Sequence, residues 1–145
     1  MKIVRNKYRV ENRDDLKMYS EYNELPELIH RKRIVFNKLI ETTEKYIDTT
    51  HPGILNRLNW YFFQKYRENF VERLLTKPEL TLNDLLDYYG ADTIDKADTA
   101  KYLIYIVLKQ FFIHNPFYFE EAFESLKKSD WIRFKKILKK YLESI

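Results

Sequence analysis

Residues 102–113 read YLIYIVLKQFFI, the most apolar stretch of the chain. The run is too short for a bilayer span, which needs about 20 apolar residues in a helix, and Lys109 and Gln110 interrupt it. A segment of this kind in a water-soluble chain is a core element. It predicts a helix over about 95–114, the most buried of the molecule. HNP at 114–116 stops that helix and restarts the chain, with Asn115 as cap and Pro116 as first helical residue. NPFYFEEAFESLKK then forms the next helix, and Ser129 caps the last one, WIRFKKILKKYLESI.

Upstream, the same reading continues. Pro26 suits a first helical turn, and Leu25, Leu28, Ile29, Val35, Phe36, Leu39, Ile40, Tyr46 and Ile47 recur at helical spacing. This helix ends before THPG, where Pro52 and Gly53 break the chain. A further helix is predicted from about Ile54 to Thr76. Its apolar residues fall on opposite sides, Leu55, Leu58 and Phe62 against Phe63, Phe70 and Leu74, as in a helix at the centre of a bundle. TLND at 81–84 has the pattern of a capping box, and the short helix it opens ends at Gly90. Residues 1–12 alternate loosely, with Val4, Tyr8 and Val10 against Arg5, Lys7 and Arg9, and read as a short strand or extended basic arm. A short helix over RDDLKMYSEY follows Asn12.

Composition supports this picture. A chain of 145 residues suits one domain, and 45% apolar with 17% aromatic residues is ample for a core. Two glycines and four prolines leave little material for hairpins or Gly-rich loops, which favours helices. The expected fold is all-α: one helical bundle over 1–145, of five to seven helices, with a basic amino-terminal arm at 1–12. With no cysteine, disulfides and thiolate metal sites are excluded. The start, MKIVRNKYRV, has no apolar signal core, so a soluble protein of the cell interior is expected, with no membrane partner.

Catalytic motifs are scarce. His30, His51 and His114 sit on different elements, and the single Glu27-x-x-His30 match to a metal-binding pattern lies beside Arg31, Lys32 and Arg33, which repel a cation. Glu120 and Glu124 share a helix face, an arrangement that carries acid–base chemistry at some sites but more often is merely solvated. Gly53 and Gly90 alone make no phosphate loop. No enzyme activity, cofactor or metal is expected.

Charge is more informative. The formal net charge is +4 and the pI about 9.1. Basic residues gather at the ends, whereas 79–98 holds Glu79, Asp84, Asp87, Asp92, Asp95 and Asp98 against Lys96. In the final helix, Trp131, Phe134, Ile137, Leu138, Tyr141 and Ile145 form an apolar side, with Arg133, Lys135, Lys136, Lys139 and Lys140 spread opposite. Arg31, Lys38 and Lys45 lie seven apart on the outer stripe of the helix after Pro26, with Ile34 exposed beside them. Lys32 falls nearer the core, its stem laid over apolar surface. With Lys2, Arg5, Lys7 and Arg9 of the arm, these residues make three basic patches. If they converge, they form one surface for a polyanion or for a protein that handles one. No base-reading motif accompanies them.

The Lys/Tyr/Ile-rich, cysteine-free helices, KYLIYIVLKQFFI and WIRFKKILKKYLE above all, resemble those of the small helical-bundle proteins of tailed, spindle-shaped viruses of hyperthermophilic archaea. That group holds abundant virion proteins and an inhibitor of the host RNA polymerase. Scarcity of Gln, Cys and Met agrees with a hot habitat; asparagine is not scarce. The resemblance implies a bundle lodged in the DNA-binding channel of the polymerase, bracing its mobile clamp and blocking nucleic-acid loading in the host cytoplasm. A DNA-coating virion or chromatin-like protein is the alternative.

Overall fold

The computed structural model describes residues 24–89 and 94–145. The basic arm, the short helix expected after Asn12 and the cap at Gly90 lie outside them. The described residues form eight helices and no strand: α1 (24–31), α2 (Arg33–Thr50), α3 (Ile54–Tyr66), α4 (Phe70–Thr76), α5 (Pro78–Tyr89), α6 (Ile94–Phe111), α7 (Phe117–Lys127) and α8 (Trp131–Ser144).

The apolar run sits where its composition demands. α6 buries Ala100, Leu103, Ile104, Ile106, Val107, Leu108 and Phe111, with Phe112 just beyond its end. It packs against α2, α5 and α7, while α8 lies mainly on α7 and also reaches α4. Phe36, Phe62, Phe70, Phe111, Phe112, Phe134 and Tyr141 are the largest fully buried side chains. Each contributes roughly 1.5–3 kcal/mol through removal from water. No described helix is long and apolar enough to cross a membrane.

Two expected continuous helices are broken, which raises the number above seven. The first break is a single residue, Lys32, between α1 and α2. The second matters more. Arg67 adopts a left-handed conformation (φ 60°) that ends α3, its N–H bonded to the Phe63 carbonyl at 2.8 Å. Asn69 is extended, and α4 restarts with the Phe70 N–H donating to Asn59 Oδ1 at 3.0 Å. Carried on straight, the helix would have turned Phe70 and Leu74 away from the side that buries Leu55, Leu58 and Phe62. The break swings both inward, and each is at most 1% exposed. Phe63 stays outside, 53% exposed, so α3 is a surface helix rather than a central one.

Capping also departs from expectation. Thr81 lies inside α5, where its hydroxyl donates to the carbonyls of Arg73 (3.0 Å) and Lys77 (2.7 Å); the helix starts instead at Pro78, which needs no N–H there. Asp130, not Ser129, caps α8: its Oδ1 accepts from the Arg133 N–H at 3.2 Å, while Ser129 takes a positive φ of 57°. Pro116 has helical angles but precedes the first residue of α7 by one. THPG breaks the chain as its residues require, with Gly53 at φ 86°.

Candidate functional site

The terminal helix does not present its cations as a single exposed face. Lys135 is a correction: it is 7% exposed and stands on the core side, its Nζ 3.8 Å from Glu79 Oε1 in the first turn of α5. Lys139 reaches Glu24 of α1 at 2.7 Å, and Arg133 lies 3.7 Å from Glu121 of α7. Arg133, Lys136 and Lys140 border an open groove of about 300 Å³ that also includes Glu121 and Asp130. Three of the five cations therefore meet carboxylates of the same chain.

The cations of α1 and α2 behave otherwise. Arg31, Lys38 and Lys45 are exposed, and none has an ion-pair partner among the described residues. At 100° per residue, Ile34, Lys38 and Lys45 fall within one narrow arc of α2, opposite the buried Phe36, Leu39, Ile40, Thr43 and Ile47, and Arg31 ends the preceding helix, α1, across the Lys32 break. Ile34 is 87% exposed at the centre of that arc. An isoleucine so far out of the core has no packing role, and the exposed carboxylates of Glu41 and Asp48 lie beside it and these cations on α2.

Lys32 joins this stripe to α8. Its Nζ donates to the carbonyls of Leu142 (2.6 Å) and Ile145 (2.8 Å), two acceptors that a helix end leaves without amide partners. With the Lys139–Glu24 pair, it holds the end of α8 against the α1–α2 corner. Lys140 is exposed and borders the groove shared with Glu121 of α7, whereas Lys38 and Lys45 lie about 10 Å apart along α2. Lys2, Arg5, Lys7 and Arg9 lie outside the described residues. Lys32→Met keeps the stem and removes the donor. Its expected cost is about 1–2 kcal/mol in urea unfolding, with faster amide exchange in the last turn of α8. An unchanged midpoint would show that water serves those carbonyls equally well.

A second polar assembly, not foreseen from sequence, lies at the α3–α4 break. Arg73, 3% exposed, bonds Glu68 at 3.0 Å, approaches Asp84 at 3.6 Å and stacks on the Tyr66 ring, 3.3 Å from its centroid. The Tyr66 hydroxyl donates to Asp84 Oδ2 at 2.5 Å, and Lys65 and Lys77 complete the ring on its wet side. Asn59 ties the break to α2, donating from Nδ2 to Glu44 Oε2 at 2.9 Å. Burial pushes the Glu44 carboxyl above its ordinary range despite that bond. Every charged partner here is internal, so the assembly is structural.

Glu27 and His30 are both exposed, and no group of three or more His, Asp or Glu placed to hold a metal ion occurs among the described residues. Glu120, Glu121, Glu124, Lys128, Asp130 and Arg133 line an open groove of about 450 Å³. Glu124 accepts from Lys127 at 2.8 Å, and that bond holds its carboxyl below the usual range.

No protein family, curated protein or solved structure matches this chain.

Proposed function

We propose that the protein is a non-enzymatic binder that docks the α2 face on a large acidic partner, and that this partner is the host RNA polymerase, whose nucleic-acid channel the bundle occupies and blocks. The observation that carries the reading is Ile34, 87% exposed among Arg31, Lys38 and Lys45, which have no ion-pair partner among the described residues. An aliphatic centre with a cationic rim is the anatomy of a protein-binding patch. Its cations suit a surface evolved to hold nucleic acid, and the resemblance to archaeal viral bundle proteins supplies the polymerase. From Ile34 to Lys45 the patch extends roughly 16 Å along α2.

Coating DNA with α8 is less favoured by the same charges. Lys135, Lys139 and Arg133 already face carboxylates, and phosphate binding would have to displace them. The test is co-elution with purified archaeal RNA polymerase, together with promoter-directed transcription. A stoichiometric complex and loss of transcript are expected, both abolished by I34D and weakened about tenfold or more by the triple variant R31E/K38E/K45E. Co-elution unaffected by either variant, or tight duplex binding without polymerase capture, would overturn the reading.

A further inference from the structure

The outer face of α3 is a different surface from the α2 patch. α3 contains no Asp or Glu, and its solvent side is aromatic. At 100° per residue, Trp60 points directly away from the buried Leu55, Leu58 and Phe62. It is 67% exposed, and Phe63, three residues on, is 53% exposed. Arg57 lies one turn before Trp60, and Arg67 follows Phe63 by one turn. Both are exposed and neither has a carboxylate partner among the described residues. Glu68 is occupied by Arg73 and Lys77, and Asp84 by Tyr66, Arg73 and Lys65, so the nearest acids are already engaged. On one flank the aromatic surface continues, with Tyr61 5.0 Å from Tyr88, itself 40% exposed.

Two bare aromatic rings on a helix, with a guanidinium at each end, match what a single nucleic-acid strand offers. Unstacked bases present π-faces that an exposed indole or phenyl ring accepts regardless of sequence, and the phosphates on either side meet cations. The dimensions agree. From Arg57 to Tyr66 the helix advances about 13 Å, with Arg67 at its left-handed end, enough for two or three nucleotides of an extended strand. Duplex DNA keeps its bases stacked inside and offers the two rings nothing to stack on.

We infer that the outer face of α3, through Trp60, Phe63, Arg57 and Arg67, is a binding site for single-stranded nucleic acid that stacks two to three bases without reading their sequence. It is independent of the α2 patch, which lies on a different helix and uses an aliphatic centre.

The test is fluorescence anisotropy of a labelled oligothymidine of about a dozen nucleotides, titrated with the full chain at low salt. Binding should weaken with salt at a slope of about 1.4–2.1 for two or three phosphates, and the same sequence as duplex should bind at least tenfold more weakly. W60A and F63A should each weaken binding about fivefold or more, and R57E/R67E should reduce both affinity and salt slope. All these side chains are exposed, so unfolding midpoints should stay near wild type. R31E/K38E/K45E should leave oligonucleotide binding unchanged, which separates this site from the α2 patch. Equal binding by wild type and W60A, or no oligonucleotide binding together with W60-dependent capture by phosphatidylserine vesicles, would overturn the inference.

Discussion

Arg73→Ala should lower the unfolding free energy by about 3–5 kcal/mol, among the largest losses any single substitution in this chain produces. The guanidinium is 3% exposed and faces Glu68 and Asp84, whose side chains are 25% and 16% exposed. Removing it leaves Glu68 to Lys77 alone and Asp84 to Lys65 and Tyr66, exposes the face of Tyr66 and opens a cavity where α3, α4 and α5 meet. The assembly is not an optimal one. Arg73 Nε is buried without a hydrogen-bond partner among the described residues, an orphan that costs about 1–3 kcal/mol.

Acid titration supplies an independent readout. Burial alone would raise the Glu68 carboxyl, but bonds from Lys77 and Arg73 outweigh it and hold the group below its ordinary range. A carboxyl lowered on folding contributes stability above its unfolded pKa, and that contribution disappears as pH falls through the folded value. Wild type should therefore lose stability on acidification below the carboxylate range, and R73A should lose less over the same interval. An R73A midpoint within about 1 kcal/mol of wild type would mean that the guanidinium is dispensable.

Tyr141→Ala should be as damaging, at about 3–5 kcal/mol, and Tyr141→Phe should cost only about 1 kcal/mol. Tyr141 is fully buried and contacts Phe111, Phe112 and Tyr118, with centroids 5.6, 4.6 and 6.3 Å away. Its hydroxyl donates to the Phe111 carbonyl at 2.6 Å, an acceptor at the end of α6. Burial pushes the phenol up to about 12, so the donor is retained throughout the pH range of ordinary unfolding experiments. The Phe variant isolates the hydrogen bond, and the Ala variant adds the cavity. Equal losses for the two would show that the ring contributes little to packing.

The fold class was legible because one observation dominates. Residues 102–113 have core composition, and few glycines or prolines exist to build anything but helices. The break after Tyr66 was not. Apolar residues on opposite sides fit either a fully surrounded helix or two shorter ones, and only the left-handed Arg67 and the Asn59 cap decide between them. TLND misled because Pro78, three residues earlier, is the stronger start signal, and Thr81 then serves two carbonyls from inside the helix.

Lys135 was legible in principle. It stands four residues after Trp131, three before Leu138 and seven before Leu142, a row that places it at the edge of the apolar face rather than opposite it. Its partner Glu79 and the Glu24 partner of Lys139 were not legible, since both come from elements distant in sequence. Ile34, Lys38 and Lys45 share one side of α2 because a single helix generates that spacing, whereas Arg31 belongs to α1. Trp60 is likewise fixed by α3 alone, although its meaning depends on knowing that nothing in the bundle covers it.

The clasp that Lys32 makes on Leu142 and Ile145 joins positions 110 and 113 apart in the chain. Bringing such distant points together carries a loop-closure entropy of about 4 kcal/mol, far more than neighbouring helices such as α7 and α8 require of each other. The pairs adjacent in sequence should therefore assemble first, and the ring should shut after the main folding barrier has been crossed. A latch engaged that late governs the lifetime of the native state rather than the speed of reaching it, so its loss should appear in the unfolding rate.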